Sequence, residues 1–194
     1  MVENMPSRVY LVRHARPSVA WGGGAEDPGL DDLGVTQARS AARQLLSLPA
    51  GERPSRIVSS PMRRCLETAA PFAQALGMAV EIDPLVGEIP TPADLAPSER
   101  PAWLSRALAG RWGDISGDLD YDEWRQGVAL AVGRHLQAAI FSHFVAINAV
   151  MSVATGTHGV IGFRPDHASI TTLAVEPGGL RLLTLGAQAA TGVL

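Results

Sequence analysis

Val9-Tyr10-Leu11-Val12 is an apolar run that ends directly on Arg13-His14-Ala15-Arg16, with Pro17 immediately behind. Its composition is that of a buried strand, and Pro17 forbids a simple continuation. A hydrophobic strand that delivers Arg-His at its carboxyl end presents charge at the top of an α/β sheet, where such folds place their ligands. By itself the stretch fits a basic surface turn as well as a reactive site. The rest of the chain has to separate the two.

Strands and helices alternate along most of the sequence. Asp31 is a candidate N-cap for a helix with Val35, Ala38, Ala42 and Leu45 on one face, ended by Pro49. Arg56-Ile57-Val58-Ser59 is a second short strand. Ser60 then caps a helix with Pro61 at its first position, a buried face of Met62, Leu66, Ala69 and Ala73, a break or kink at Pro71, and Gly77 as its stop. Met78 to Ile82 makes a third strand. From 83 to 120 the texture changes to prolines and glycines around Trp103 and Trp112, with one short helix near 99–109. Asp118, Asp120, Asp122 and Glu123 lack the central glycine and closing glutamate of a calcium loop and suit the start of a helix. That helix buries Trp124, Val128, Ala131 and Val132. Ala138 to Phe141 is a fourth strand ending on Ser142-His143, and a helix from Val145 to Thr155 stops at Gly156. Strands near 170–175 and 180–185, joined by Glu176-Pro-Gly-Gly, form a terminal hairpin. The predicted fold class is α/β, a three-layer α/β/α sandwich on a mostly parallel mixed sheet. A length of 194 residues suits a single domain, 1–194, with the segment at about 88–120 as an insertion placed to cover a site.

Composition excludes several chemistries. All sixteen basic residues are arginines, so no lysine is available for a Walker-type phosphate loop, a Schiff base or a lysine base. The net charge of −3 gives no global case for nucleic acid. Cys65 stands alone and can form neither an internal disulfide nor a cysteine-rich metal site. No apolar run approaches the ~20 residues of a membrane span, and the first residues lack a signal-peptide pattern; a cytoplasmic location is expected. The glycine-rich stretch Trp21–Gly29 lacks dinucleotide spacing and reads as a solvent loop near His14.

Three of the four early strands end in the same way. Val12 leads to Arg13-His14, Val58 to Ser59-Ser60 and a helix bearing Arg64, and Phe141 to Ser142-His143 and another helix. Parallel strands place these ends on one edge, close to helix N-termini whose N–H groups and dipoles favour an anion. This is the outline of a phosphate site with a nucleophile in it.

Here a resemblance appears. Leu11-Val12-Arg13-His14-Ala15 resembles the Arg-His-Gly/Ala signature of the histidine phosphatase superfamily, which includes the phosphoglycerate mutases. Leu30-Asp-Asp-Leu-Gly34-Val-Thr-Gln37-Ala38 is similar to its Leu-Thr-x-x-Gly-x-x-Gln-Ala segment. Ser60-Pro61-Met62-Arg63-Arg64-Cys65-Leu66-Glu67-Thr68 resembles its Ser-Pro-Leu-x-Arg-Ala-x-x-Thr block, which selects Arg64 over Arg63. Ser142-His143 resembles its second histidine, and Asp166-His167-Ala168-Ser169-Ile170-Thr171 its lead into a late strand. The match covers about 8 to 176 and is weakest over 90–120.

The resemblance implies a phosphoglycerate mutase-like fold and a metal-independent phosphomonoesterase of the histidine acid phosphatase type. His14 would attack phosphorus and become phosphohistidine, while Arg13, Arg64 and His143 hold the non-bridging oxygens. Glu88, in Leu85-Val86-Gly87-Glu88-Ile89, is similar to the family's apolar-x-Glu segment and would protonate the leaving group; that role requires a raised pKa. No cofactor or metal is implied. The expected partner is a small-molecule phosphate ester, with no nucleic acid or membrane; a homo-oligomer is neither indicated nor excluded.

The chain departs from the family pattern in places. Ile89-Pro-Thr-Pro follows Glu88 without the usual glycine, Phe144 replaces a glycine and would narrow the pocket, and the Ser-x-Trp-Asn continuation of the mutases is absent. Hydrolysis is therefore expected over mutase chemistry. A zinc hydrolase on His14, His143 and Glu88, or a non-catalytic phosphate binder, are the competing classes. His135, His158 and His167 read as surface or capping residues, Arg16 and Arg63 reach site or solvent equally, and Trp21, Trp103 and Trp112 read as packing.

Overall fold

The computed structural model describes residues 7–19 and 27–189, so Trp21 and most of its glycine-rich loop lie outside the described residues. Within them, β1 (Ser7–Arg13), β2 (Arg56–Ser59), β3 (Glu81–Ile82), β4 (Ala138–Ser142), β5 (Ile170–Glu176) and β6 (Gly179–Thr184) pair in the order β3-β2-β4-β1-β5-β6. The first four run parallel, β5 lies antiparallel to β1, and β6 antiparallel to β5. The helices are α1 (Asp32–Leu46), α2 (Arg63–Leu76), α3 (Arg100–Ala109), α4 (Tyr121–Arg134) and α5 (Phe144–Thr155).

Strand periodicity divides the core in two. Val9 and Leu11 of β1, Val58 of β2 and Ala138 and Ile140 of β4 pack with Trp103, Val128 and Ile147 from α3, α4 and α5. Their neighbours Tyr10, Val12, Ile57, Ala139 and Phe141 point the other way, onto Ala38, Ala41 and Phe72 of α1 and α2. The result is the three-layer sandwich expected from the sequence.

The handedness of crossovers explains which helix takes which face. From β1 to β2 to β3 the chain steps towards one edge, so α1 and α2 share a face; from β3 it returns to place β4 between β2 and β1, so α4 covers the other. After β1 the chain leaves for the α1 face, and after β4 it leaves for the α5 face. Adjacent strands whose connections diverge open a crevice at their carboxyl ends. Arg13 pairs with Ser142 in register at that point, and the His14 N–H donates to the Ser142 carbonyl at 2.9 Å.

Local chemistry sets most element ends as expected. Asp31 accepts from Gly34 N at 2.7 Å, Asp120 accepts from the N–H groups of Asp122 and Glu123, and Gly77 and Gly156 close α2 and α5 in left-handed conformations. Other expectations are corrected. Helix α2 begins at Arg63 rather than Pro61, with Met62 at the cap and no side-chain cap bond. Its buried face is Arg64, Cys65, Thr68, Ala69, Phe72 and Ala73, and it continues through Pro71 to Leu76. Met62 and Leu66 are only half-buried, and Val35 of α1 is exposed. The third strand is reduced to Glu81–Ile82, because it is an edge strand paired only with Val58 and Ser59. Between 83 and 120 the chain adds 3-10 turns at Pro84–Val86 and Trp112–Asp114 to the expected helix, and buries Trp103 and Trp112 in the α4/α5 layer. No helix among the described residues is long and apolar enough to cross a membrane.

The Asp31–Gln37 motif has a structural task. Asp31 N donates to the Arg16 carbonyl, Gln37 Oε1 accepts from Arg16 N at 2.9 Å, and Gly34 lies beneath that carbonyl. A Cβ at Gly34 would stand 2.1 Å from the Arg16 oxygen. Gly34→Ala is therefore expected to destabilise the fold by about 2–3 kcal/mol. Gly133→Ala on α4, where a Cβ meets nothing within 4 Å, should stabilise by about 0.5–1 kcal/mol. Chemical denaturation of the two variants checks the contrast.

Candidate active site

At the crevice the backbone first fixes His14. Its carboxyl neighbour Ala15 is tied through its N–H to Thr68 Oγ1 at 2.9 Å, and that hydroxyl donates to the Arg64 carbonyl at 2.6 Å. The turn after β1 is thus bound to the first turns of α2. The His14 ring is buried, and its Nδ1 lies 2.9 Å from the Ala15 carbonyl. A carbonyl only accepts, so Nδ1 carries the hydrogen and Nε2 keeps a free lone pair.

Helix α2 supplies Arg64 because the guanidinium sits on its buried face, beside Cys65 and Thr68. Arg64 Nη2 donates to His143 Nδ1 at 3.1 Å. His143 must then carry its hydrogen on Nε2, which donates to Ser60 Oγ at 2.8 Å. Ser60, expected as a helix cap, is instead the partner of this histidine. The rings of His14 and His143 stand 5.4 Å apart, centroid to centroid. Cys65 Sγ lies 3.4 Å from His143 Nε2, but burial pushes its pKa upward and keeps it a protonated thiol.

Glu88 follows the turn at Pro84–Val86, which is held by Asp83 Oδ1 accepting from Leu85 N and by Ser142 Oγ donating to the Val86 carbonyl. Its Oε1 accepts from Ile89 N at 3.0 Å; its Oε2 lies 3.5 Å from His143 Nδ1 and 3.9 Å from Arg64 Nη2. Burial raises the Glu88 pKa, opposed by Arg64, the Ile89 N–H and Arg13. Arg13 is 2% exposed, donates from Nη1 to the Pro165 carbonyl at 2.9 Å, and stacks 5.1 Å from the centroid of Phe144. Burial lowers its pKa to about 10, which still leaves it charged at neutral pH.

All five residues predicted for the site, Arg13, His14, Arg64, Glu88 and His143, are thereby brought to one end of the sheet. The Phe144 ring is buried and lies against the Arg13 guanidinium. Arg16 and Arg63 are exposed and pair with the half-buried carboxylates of Asp31 and Glu67. His135 is buried at the end of α4 against Asp83. His167, expected at the surface or as a cap, instead meets the site: its Nε2 lies 3.2 Å from Arg13 Nη2 and its ring 5.8 Å from that of His14. The signal was available, because a strand pairing antiparallel to β1 must bring the residues just before Ile170 to the end of β1.

Electrostatically the crevice is prepared for an anion. Burial drives the pKa values of His14 and His143 well below the ordinary histidine value, with Arg64 and Arg13 reinforcing both and His143 adding to His14. His167 is lowered to about 4 by burial and by Arg13. Two buried guanidiniums beside neutral imidazoles repel a divalent cation, and among the described residues no group of three or more His, Cys, Asp or Glu side chains is placed to hold a metal ion.

The fold and site together define an α/β protein with two histidines and two buried arginines at the carboxyl ends of its central parallel strands. Over residues 9–188 the chain matches the histidine phosphatase superfamily (branch 1), and it belongs to that superfamily. Among solved structures it is similar to the phosphoserine phosphatase of Entamoeba histolytica, with TM-score 0.72 and 19% identity over 93% of this chain and 97% of that one. Mycobacterial glucosyl-3-phosphoglycerate phosphatase gives TM-score 0.67 and 22% identity, covering 94% of this chain and 100% of that one. An open reading frame product of Mycobacterium tuberculosis gives 0.65 and 26%, covering 94% and 98%. The likeness to the first two is one of fold. No curated protein matches the chain.

The three depressed histidines fix the sign of a pH effect. The unfolded chain takes up these protons near the ordinary value of 6.5 while the folded chain refuses them, so stability is full above 6.5 and falls as the pH drops towards 4. Glu88, with a raised pKa, contributes in the opposite direction, losing its contribution as the pH rises. Each histidine held neutral contributes about 1.4 kcal/mol per pH unit over that window, and Glu88 subtracts from the sum. Urea unfolding at a series of pH values checks it, and a flat profile would contradict the neutral assignments.

Proposed function

We propose that the protein is a phosphatase that hydrolyses a small phosphomonoester through a phosphohistidine on His14, without a metal ion. The observation that carries the reading is the hydrogen bond from His14 Nδ1 to the Ala15 carbonyl. It presents an unprotonated Nε2 in a crevice flanked by two buried guanidiniums and the half-buried carboxyl group of Glu88. A neutral imidazole is a competent nucleophile, and phosphoryl transfer depends mainly on positioning and on stabilising charge at the equatorial oxygens.

In the first step Nε2 attacks phosphorus, the ester P–O bond breaks, and the departing oxygen takes the proton of Glu88. Arg13 and Arg64 hold the non-bridging oxygens. A phosphate dianion beside His143 raises that ring's proton affinity, so as substrate binds Nδ1 takes up a proton from solvent, Arg64 turns from that nitrogen to the phosphoryl oxygens, and the ring becomes a third donor until the proton returns to solvent with the release of phosphate. In the second step the Glu88 carboxylate takes a proton from water, the hydroxide attacks phosphorus, and the P–N bond breaks. Inorganic phosphate leaves, with His14 neutral and Glu88 protonated as before.

The relatives that share the fold act, by their names, on phosphoserine and glucosyl-3-phosphoglycerate, which supports a small phosphorylated metabolite as the substrate class. The segment from 88 to 120, anchored by buried Trp103 and Trp112, is read as a wall of the site in which selectivity resides.

A screen over a panel of phosphorylated metabolites, with His14→Ala as the blank, tests the proposal. Turnover is expected to disappear in His14→Ala, to fall about 10²–10³-fold in Arg64→Ala, and to survive a chelator. Glu88→Gln should slow phosphoenzyme formation from alkyl phosphates far more than the first burst of p-nitrophenol from p-nitrophenyl phosphate, whose leaving group needs no proton, while hydrolysis of the phosphoenzyme slows for both. Near-normal activity of His14→Ala on every ester, or loss with a chelator and recovery with Zn²⁺, would overturn the reading.

A further inference from the structure

We infer that His167 is a positioning residue for Arg13, an uncharged acceptor that fixes the guanidinium plane facing the phosphate site. The inference rests on the proposal that Arg13 binds the phosphoryl group. Arginine has no acceptor, so in the 3.2 Å contact between Arg13 Nη2 and His167 Nε2 the imidazole accepts. His167 therefore carries its hydrogen on Nδ1. With Pro165 O on Nη1 and the Phe144 ring beneath the plane, the guanidinium is held along two nitrogens and on one face.

The segment bearing His167 is itself fixed. Ala168 adopts a left-handed backbone, φ 58°, which costs free energy for a residue with a Cβ. That conformation aims its N–H at the Arg13 and His14 carbonyls, at 3.1 and 3.4 Å, while the Arg13 N–H donates to the Ser169 carbonyl. His167 N donates to Asp166 Oδ1 at 2.7 Å. The chain thus ties the segment to the two residues that lie at the phosphate site.

A neutral acceptor suits this position for an electrostatic reason. A carboxylate contacting Arg13 would also orient it, but would neutralise the charge that the phosphoryl oxygens require. An imidazole orients through a lone pair and leaves the positive charge in place. Burial and the neighbouring Arg13 keep His167 uncharged, against the opposing influence of Asp166.

His167→Gln, whose Oε1 can take the place of Nε2, is to be compared with His167→Leu, which fills similar space without an acceptor. Orthovanadate affinity and kcat/KM on p-nitrophenyl phosphate are measured in parallel. The Leu variant should lose about tenfold in both, and the Gln variant should stay within about threefold of the unsubstituted protein. Should His167→Leu fail to fold by near-ultraviolet circular dichroism, His167→Met takes its place. Gln and apolar variants that behave alike, whether both active or both impaired, overturn the inference. An unsubstituted protein that binds vanadate yet turns over no ester overturns the phosphatase reading alone, since the ranking of vanadate affinities still decides the role of His167.

Discussion

The parallel pairing of β1 with β4 is the constraint on which the rest depends. These strands lie side by side in the sheet, yet their following helices cover opposite faces. The backbone must part at their ends, and it does so where Arg13 pairs with Ser142 and where the His14 N–H reaches the Ser142 carbonyl. One strand therefore presents Arg13 and His14, its neighbour presents His143, and β2 on the far side of β4 leads into the helix bearing Arg64. No long side chain has to reach across the molecule. The site lies at the carboxyl ends of the central strands.

Burying two guanidiniums there is costly unless hydrogen bonds and counter-charges compensate. Among the described residues the hydrogen-bond acceptors include neutral ones: Pro165 O and His167 for Arg13, and His143 for Arg64, with Glu88 and Asp166 adding counter-charge to Arg13. Glu88 stands 3.9 Å from Arg64, and burial biases it towards its neutral form. Among the described residues the two guanidiniums are matched by less negative charge than they carry. Bringing in a phosphate dianion supplies the difference, which joins the energetics of the empty fold to the chemistry proposed for it.

Much of this was legible in the sequence because the relevant signals are local. Asp31, Gly77, Asp120 and Gly156 mark helix ends by the chemistry of their own side chains or lack of one, and they act there as expected. The strand runs ending on Arg13-His14 and Ser142-His143 carried the site and its place in the sheet. What failed was local reasoning applied to non-local facts. Arg64 is legible as a candidate ligand, yet the apolar pattern alone runs the buried face of α2 through Met62 and Leu66, because it does not count an arginine among core residues. Met78–Ile82 has a strand's composition, but only Glu81 and Ile82 find a partner at the sheet edge. His167 contacts a residue 154 positions away, and nothing in its immediate neighbourhood announces that contact. Only the antiparallel return of β5 along β1 does.

The central claim is the identity of one reacting atom, and it can be read directly. In Glu88→Gln the group that activates water is gone, so the phosphoenzyme formed from p-nitrophenyl phosphate should accumulate. Quenched in alkali, where phosphohistidine survives, and examined by ³¹P and ¹⁵N nuclear magnetic resonance, it is expected to carry the phosphoryl group on Nε2 of His14. The hydrogen bond from Nδ1 to the Ala15 carbonyl permits no other nitrogen of that ring. A phosphoryl group on Nδ1, or on any other residue, would contradict the account.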